Sequence, residues 1–92
     1  LSSKVAKHII VSGRVQGVGF RYFVNQKAKE CQLTGWVKNL PNGTVEIELE
    51  GDEKDLACFV DYLKAGNGYS RTDQLHQSEI EPGNYTNFSI QY

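Results

Sequence analysis

Thr34-Gly35-Trp36-Val37-Lys38-Asn39-Leu40-Pro41-Asn42-Gly43-Thr44-Val45-Glu46-Ile47-Glu48-Leu49-Glu50 reads as two strands folded back on each other. Val45, Ile47 and Leu49 alternate with Glu46, Glu48 and Glu50, so one face of this strand is buried and the other wet. The three glutamates are therefore expected to form a solvated strand face and not an acid–base pair. Asn42-Gly43 between two extended runs is a strong hairpin signal, because both residues accept positive φ. Everything else in the chain is arranged around this hairpin.

On its N-terminal side lies a helix over about 21–32, with Phe20, Val24, Ala28 and Cys31 at helical spacing. A β-branched strand over about 5–12 precedes it, in which Ile9 and Val11 share one face. On the C-terminal side Asp52 is placed to cap a second helix whose core stripe is Leu56, Phe59, Val60 and Leu63. Gly66-Asn67-Gly68 stops that helix. A polar strand within 72–80 reads as a sheet edge, and a short last strand around 86–91 turns Phe88 and Ile90 inward. The order βαββαβ, with the last strand split or short, predicts an α+β, ferredoxin-like sandwich: an antiparallel sheet with two helices on one face.

The chain has 92 residues, enough for a single domain over 1–92 and no second core. With 39% hydrophobic and 23% charged residues it has an ordinary globular composition, and its net charge of −1 provides no field for nucleic acid or membrane surfaces. No apolar run approaches a membrane span, and no secretory signal is expected; Leu1 in place of Met suggests a trimmed end. Two cysteines, Cys31 on the helix stripe and Cys58 off it, argue for reduced thiols in the cytoplasm, with no partner at metal-ligand spacing.

The chemistry concentrates in Gly13-Arg14-Val15-Gln16-Gly17-Val18-Gly19-Phe20-Arg21, which places four glycine-free positions among three glycines between the first strand and the first helix. Such a turn lets several N–H groups converge on one point, and the helix start adds its positive dipole end. Arg21 supplies a guanidinium fork at a position where the dipole disfavours a cation, so its presence points to an anion. The spacing G-x-x-x-G-x-G is neither the dinucleotide fingerprint nor the triphosphate loop. Val15 to Arg21 has the length of a Cys-x5-Arg phosphatase loop, but Val15 stands where the thiolate would be. Covalent attack from that position is excluded, so if the protein hydrolyses a phosphate ester or anhydride the nucleophile is water.

The run GRVQGVGFR (13–21) together with GWVKNLPNGTVE (35–46) resembles the acylphosphatase family, over essentially the whole chain. The resemblance implies hydrolysis of the carboxyl–phosphate bond of acyl phosphates to a carboxylate and inorganic phosphate, without metal or other cofactor. It also implies that Arg21 binds phosphate and that Asn39 orients the attacking water. The backbone amides of Val15, Gln16, Gly17, Val18, Gly19 and Phe20 are expected to cradle the phosphoryl oxygens. Neither motif contains a histidine, and the one carboxylate, Glu46 at the end of the second, falls on the solvated strand face, so the substrate's own phosphate oxygen is the expected proton acceptor. His8 and His76 are expected to have no catalytic part, and Tyr22 and Trp36 to be packing residues. Inorganic phosphate is expected as product and inhibitor, with no nucleic-acid or membrane partner and a monomeric state.

Two departures from the family pattern concern the frame. Cys31-Gln32 stands where the family has Leu-Gly, so Gln32 either takes the left-handed conformation or the helix ends differently. Gly66-Asn67-Gly68 replaces a Gly-Pro-Pro-like turn and is expected to be the more flexible. Two rivals remain at this level. One is a non-catalytic anion- or carbamoyl-phosphate-binding module of a larger maturation factor, against which the chain's length favours a free-standing enzyme. The other is an RNA-binding sheet, which would need paired aromatics on the two central strands and a basic surface, whereas the first strand has no aromatic and the net charge is −1.

Overall fold

A computed structural model describes residues 4–92, so Leu1 lies outside the described residues. The elements are β1 (Lys4–Arg14), α1 (Phe20–Glu30), β2 (Thr34–Asn39), β3 (Val45–Asp52), α2 (Glu53–Ala65), β4 (Arg71–Ile80) and β5 (Phe88–Gln91). They form a five-stranded sheet in the order β4-β1-β3-β2-β5. The first four strands pair antiparallel, as the ferredoxin-like pattern requires. The expected all-antiparallel sheet is refined at one edge, where β5 pairs parallel to β2, with Gly35 opposite Phe88 and Lys38 opposite Gln91. The segment 81–87 carries the chain from the β4 edge across to that opposite edge.

The core lies between the helices and the helix-facing side of the sheet. Ile9, Val11, Val37, Val45, Ile47 and Leu49 from the strands meet Phe20, Val24 and Ala28 of α1 and Leu56, Phe59 and Leu63 of α2. These are the residues that the two periodicities select, 2 in the strands and 3.6 in the helices. Asp52 caps α2 as expected, its side chain accepting from the Lys54 amide at 3.0 Å. α1 ends at Glu30, and Gln32 takes the left-handed conformation itself, at φ 60°. Between Ser12 and Gly13 the β1–β4 register shifts, and there the two backbones come so close that a Cβ on Gly13 would stand 2.2 Å from the Arg71 carbonyl oxygen.

The hairpin turn forms where Asn42-Gly43 places it, but by another route. Gly43 has φ 90° while Asn42 keeps negative φ and works through its side chain, accepting from the Thr44 amide at 3.1 Å and the Thr44 hydroxyl at 2.6 Å. The loop 40–44 is closed by Leu40 N–H to the Thr44 carbonyl at 2.9 Å.

The open face of the sheet corrects one expectation. Glu46 and Glu48 are half-buried, but Glu50 is 1% exposed. The segment after β4 folds over it and gives it three backbone hydrogen bonds, from Gly83 (2.8 Å), Asn84 (3.2 Å) and Tyr85 (2.6 Å). Lys4 adds an ion pair at 3.3 Å. Burial pushes the Glu50 carboxyl up, yet the three amides and Lys4 outweigh it and hold the group below its ordinary value. The Tyr85 hydroxyl in turn donates to Glu48 at 3.1 Å and accepts from the Trp36 indole at 3.1 Å. The glutamates thus include the anchor that delivers the chain to β5.

Candidate active site

Three segments converge at one end of the sheet: the loop 15–19 between β1 and α1, the end of β2, and the end of β5. They enclose a cavity of about 210 Å³ lined by Val15, Gly17, Gly19 and Phe20, by Arg21 and Tyr22 of α1, by Asn39, and by Ile90 and Tyr92. Arg21 and Asn39, eighteen positions apart in sequence, therefore face one space. Val15 is buried at its floor and presents only hydrocarbon.

α1 begins without the devices that usually satisfy a helix start. Its N-cap is Gly19 in the left-handed region at φ 74°, no side chain caps it, and the first turn holds no acidic residue. Among the described residues, none of the turn and loop hydrogen bonds is donated by an amide of residues 15–20. Gly17, also at φ 74°, has open space where a Cβ would stand, so backbone and ligand are free to approach each other there. An uncapped helix start and a run of undonated amides beside an arginine make a site for a tetrahedral anion.

Arg21 is steadied from the β5 side. Its Nη1 donates to the Gln91 carbonyl at 3.3 Å and its guanidinium lies 4.8 Å from the centre of the Tyr92 ring. Asn39 carries a buried Oδ1 with no hydrogen-bond partner. A buried amide oxygen without a donor is costly, and an ordered water is the usual partner for such a group.

The loop is gripped at two points by carboxamides. Gln16 does not line the cavity; its Nε2 donates to the carbonyls of Leu40 and Thr44, both at 2.8 Å. Val18 is half-buried against the core, and its carbonyl accepts from Asn67 Nδ2 at 2.9 Å. Asn67 Oδ1 meanwhile accepts from the amides of Tyr69 and Ser70 at 2.9 and 2.8 Å. The turn after α2, expected to be the more flexible for its lost prolines, is thus hydrogen-bonded internally and to the loop 15–19.

Ile90, Tyr92 and the side chains of Gln16 and Asn67 had no place in the sequence reading of the site. The parallel β2–β5 pairing that brings Ile90 and Tyr92 here has no local signal, whereas Gln16 stood inside the motif and was read only for its backbone. Tyr22, expected to pack, is 70% exposed at the cavity rim. Trp36 does pack, against Tyr85. His8 pairs with Glu46 at 2.7 Å and His76 lies on β4; neither lines the cavity. No Asp, Glu or His lines it either. Among the described residues no three His, Cys, Asp or Glu side chains gather as metal ligands, and no helix is long and apolar enough to cross a membrane.

Known proteins match this chain along nearly its whole length. The acylphosphatase family model matches residues 7–90. The acylphosphatase of Geobacillus kaustophilus is 53% identical over 75 residues, which are 82% of this chain and 77% of that one. The crystal structure of acylphosphatase from Bacillus subtilis superposes with a TM-score of 0.93 at 45% identity, covering 96% of this chain and 99% of that one. Full-length HypF contains a similar region, with a TM-score of 0.88 at 34% identity, covering all of this chain and 12% of that protein.

Proposed function

The chain belongs to the acylphosphatase family and hydrolyses acyl phosphates, and from that premise we propose how its site divides the work. The amides of residues 15–20 and the fork of Arg21 neutralise the phosphoryl oxygens of the substrate. Asn39 Oδ1 accepts a hydrogen bond from the attacking water and aims its lone pair at phosphorus. The observation that carries this reading is that Asn39 lines the same cavity as Arg21 while its buried Oδ1 has no hydrogen-bond partner in the protein.

The chemistry asks little more of the protein. Water oxygen bonds to phosphorus as the bond from phosphorus to the acyl oxygen breaks, and the carboxylate leaves with that electron pair. A carboxylate is a good leaving group and needs no general acid. The water proton passes to a non-bridging phosphoryl oxygen, because the cavity lining offers no carboxylate or imidazole. Catalysis then consists of positioning and electrostatic complementarity. The enzyme works as a monomeric cytoplasmic domain over 1–92, supported by two free cysteines, and inorganic phosphate acts as product and competitive inhibitor.

The test is hydrolysis of a simple aryl acyl phosphate with chelator present, comparing wild type, Arg21→Ala and Asn39→Ala. The expected outcome is loss of phosphate inhibition with Arg21→Ala, and a kcat fall of about two orders of magnitude or more with Asn39→Ala. Near-normal turnover by Asn39→Ala overturns its role. The pH–rate profile should be flat near neutrality; a limb titrating in the histidine range would put a protein base back into the mechanism.

A further inference from the structure

The two halves of the site lie on separate stretches of chain, and one side chain joins them directly. Gln16 projects from the phosphate loop to the neck of the β2–β3 hairpin, where its single Nε2 donates to the Leu40 and Thr44 carbonyls at 2.8 Å each. Both carbonyls already hold a backbone hydrogen bond, Leu40 from the Gly43 amide at 3.1 Å and Thr44 from the Leu40 amide at 2.9 Å. Gln16 therefore fills the remaining acceptor capacity of the two oxygens that close the neck. Asn39 is the last residue of β2, next to Leu40 and opposite Val45.

We infer that the Gln16 side chain is a positioning residue that sets the distance between the phosphate cradle and Asn39. The inference rests on the proposed water-orienting role of Asn39, since it is through Asn39 that Gln16 acts. A primary amide suits the task for chemical reasons. It has two hydrogens on one nitrogen for two carbonyls, carries no charge that would compete with Arg21 for the anion, and does not titrate. Glutamate at this position would turn an acceptor towards two acceptors. Asparagine would be a methylene too short to span the gap.

A brace of this kind predicts a particular split in the kinetics. Phosphate is held by loop amides and Arg21, which do not need the hairpin, so phosphate inhibition should survive loss of the brace. The in-line water should not. Gln16→Ala is expected to lower kcat about 10- to 100-fold, the scale of an ångström-level misplacement, while the phosphate inhibition constant stays within about threefold. Gln16→Met, which keeps the stem and removes the donors, should behave alike and covers the case that alanine impairs folding.

The deciding measurement is the double-mutant cycle with Asn39→Ala. Once Asn39 is gone there is nothing left to position, so adding Gln16→Ala should change kcat less than about threefold. Independent, multiplying losses would overturn the inference, because they mean that Gln16 acts otherwise than through Asn39. A matched rise in the phosphate inhibition constant would overturn it as well and return Gln16 to the cradle. Near-normal turnover by Asn39→Ala alone would instead sink the water-orienting reading itself, which keeps the two failures distinct.

Discussion

At the scale of single residues, the site's two named side chains differ in what they can tolerate. Arg21 is held by the Gln91 carbonyl and the Tyr92 ring while presenting its fork to the cavity. Lysine carries the charge without the fork, so Arg21→Lys should leave kcat/KM close to that of Arg21→Ala, measured on the same acyl phosphate. The thiols give a second test. Cys31 is buried and its pKa is pushed up to about 11, first by burial and then by the neighbouring Cys58. Cys58 is exposed. Iodoacetamide at pH 8 should therefore alkylate Cys58 and leave Cys31 intact, read by peptide mass spectrometry. Arg21 and Asn39 were legible in the sequence because each sits in a contiguous motif whose residue types have few other uses together. Gln16 was hidden in plain view, since a motif shows which residues are present but not whether backbone or side chain does the work.

At the scale of elements, alternation found every strand and helical spacing found both helices, with ends shifted by one or two residues. What alternation cannot reveal is what lies above a strand face. Val45 to Glu50 shows which side chains leave the helix-facing side, but only the path of residues 83–85 shows that Glu50 is roofed over. Removing this carboxylate strands three amides and Lys4, so Glu50→Ala should cost about 3 kcal/mol in urea unfolding, the scale of breaking a buried charged network. Its pKa is lower folded than unfolded. Its contribution is thus present above the unfolded value and is lost as pH falls through the folded one. Wild type should lose more stability than Glu50→Gln between pH 5 and pH 2, measured by urea denaturation at each pH.

At the scale of the whole molecule, the cavity belongs to no single element but to three ends meeting where the sheet stops. A ligand there ties loop, hairpin and α1 together, so it should stabilise the entire fold. Phosphate at about ten times its dissociation constant should add about 1.4 kcal/mol and raise the melting temperature by roughly 6–11 °C. Arg21→Ala should abolish most of that rise, by calorimetry in phosphate against chloride. The ferredoxin-like layout was legible because each local pattern agreed with the next. The fifth strand's direction was not, because a parallel edge pairing depends on where a long loop is fastened and not on the four residues that pair.

That parallel edge strand also orders events in time. A nascent chain that has emerged only through β4 already contains the loop 15–19, Arg21 and Asn39, along with the four strands that support them. It lacks Gln91 and Tyr92, and so lacks everything that steadies the guanidinium from the far side. Translation thus completes the frame first and delivers the clasp on Arg21 afterwards.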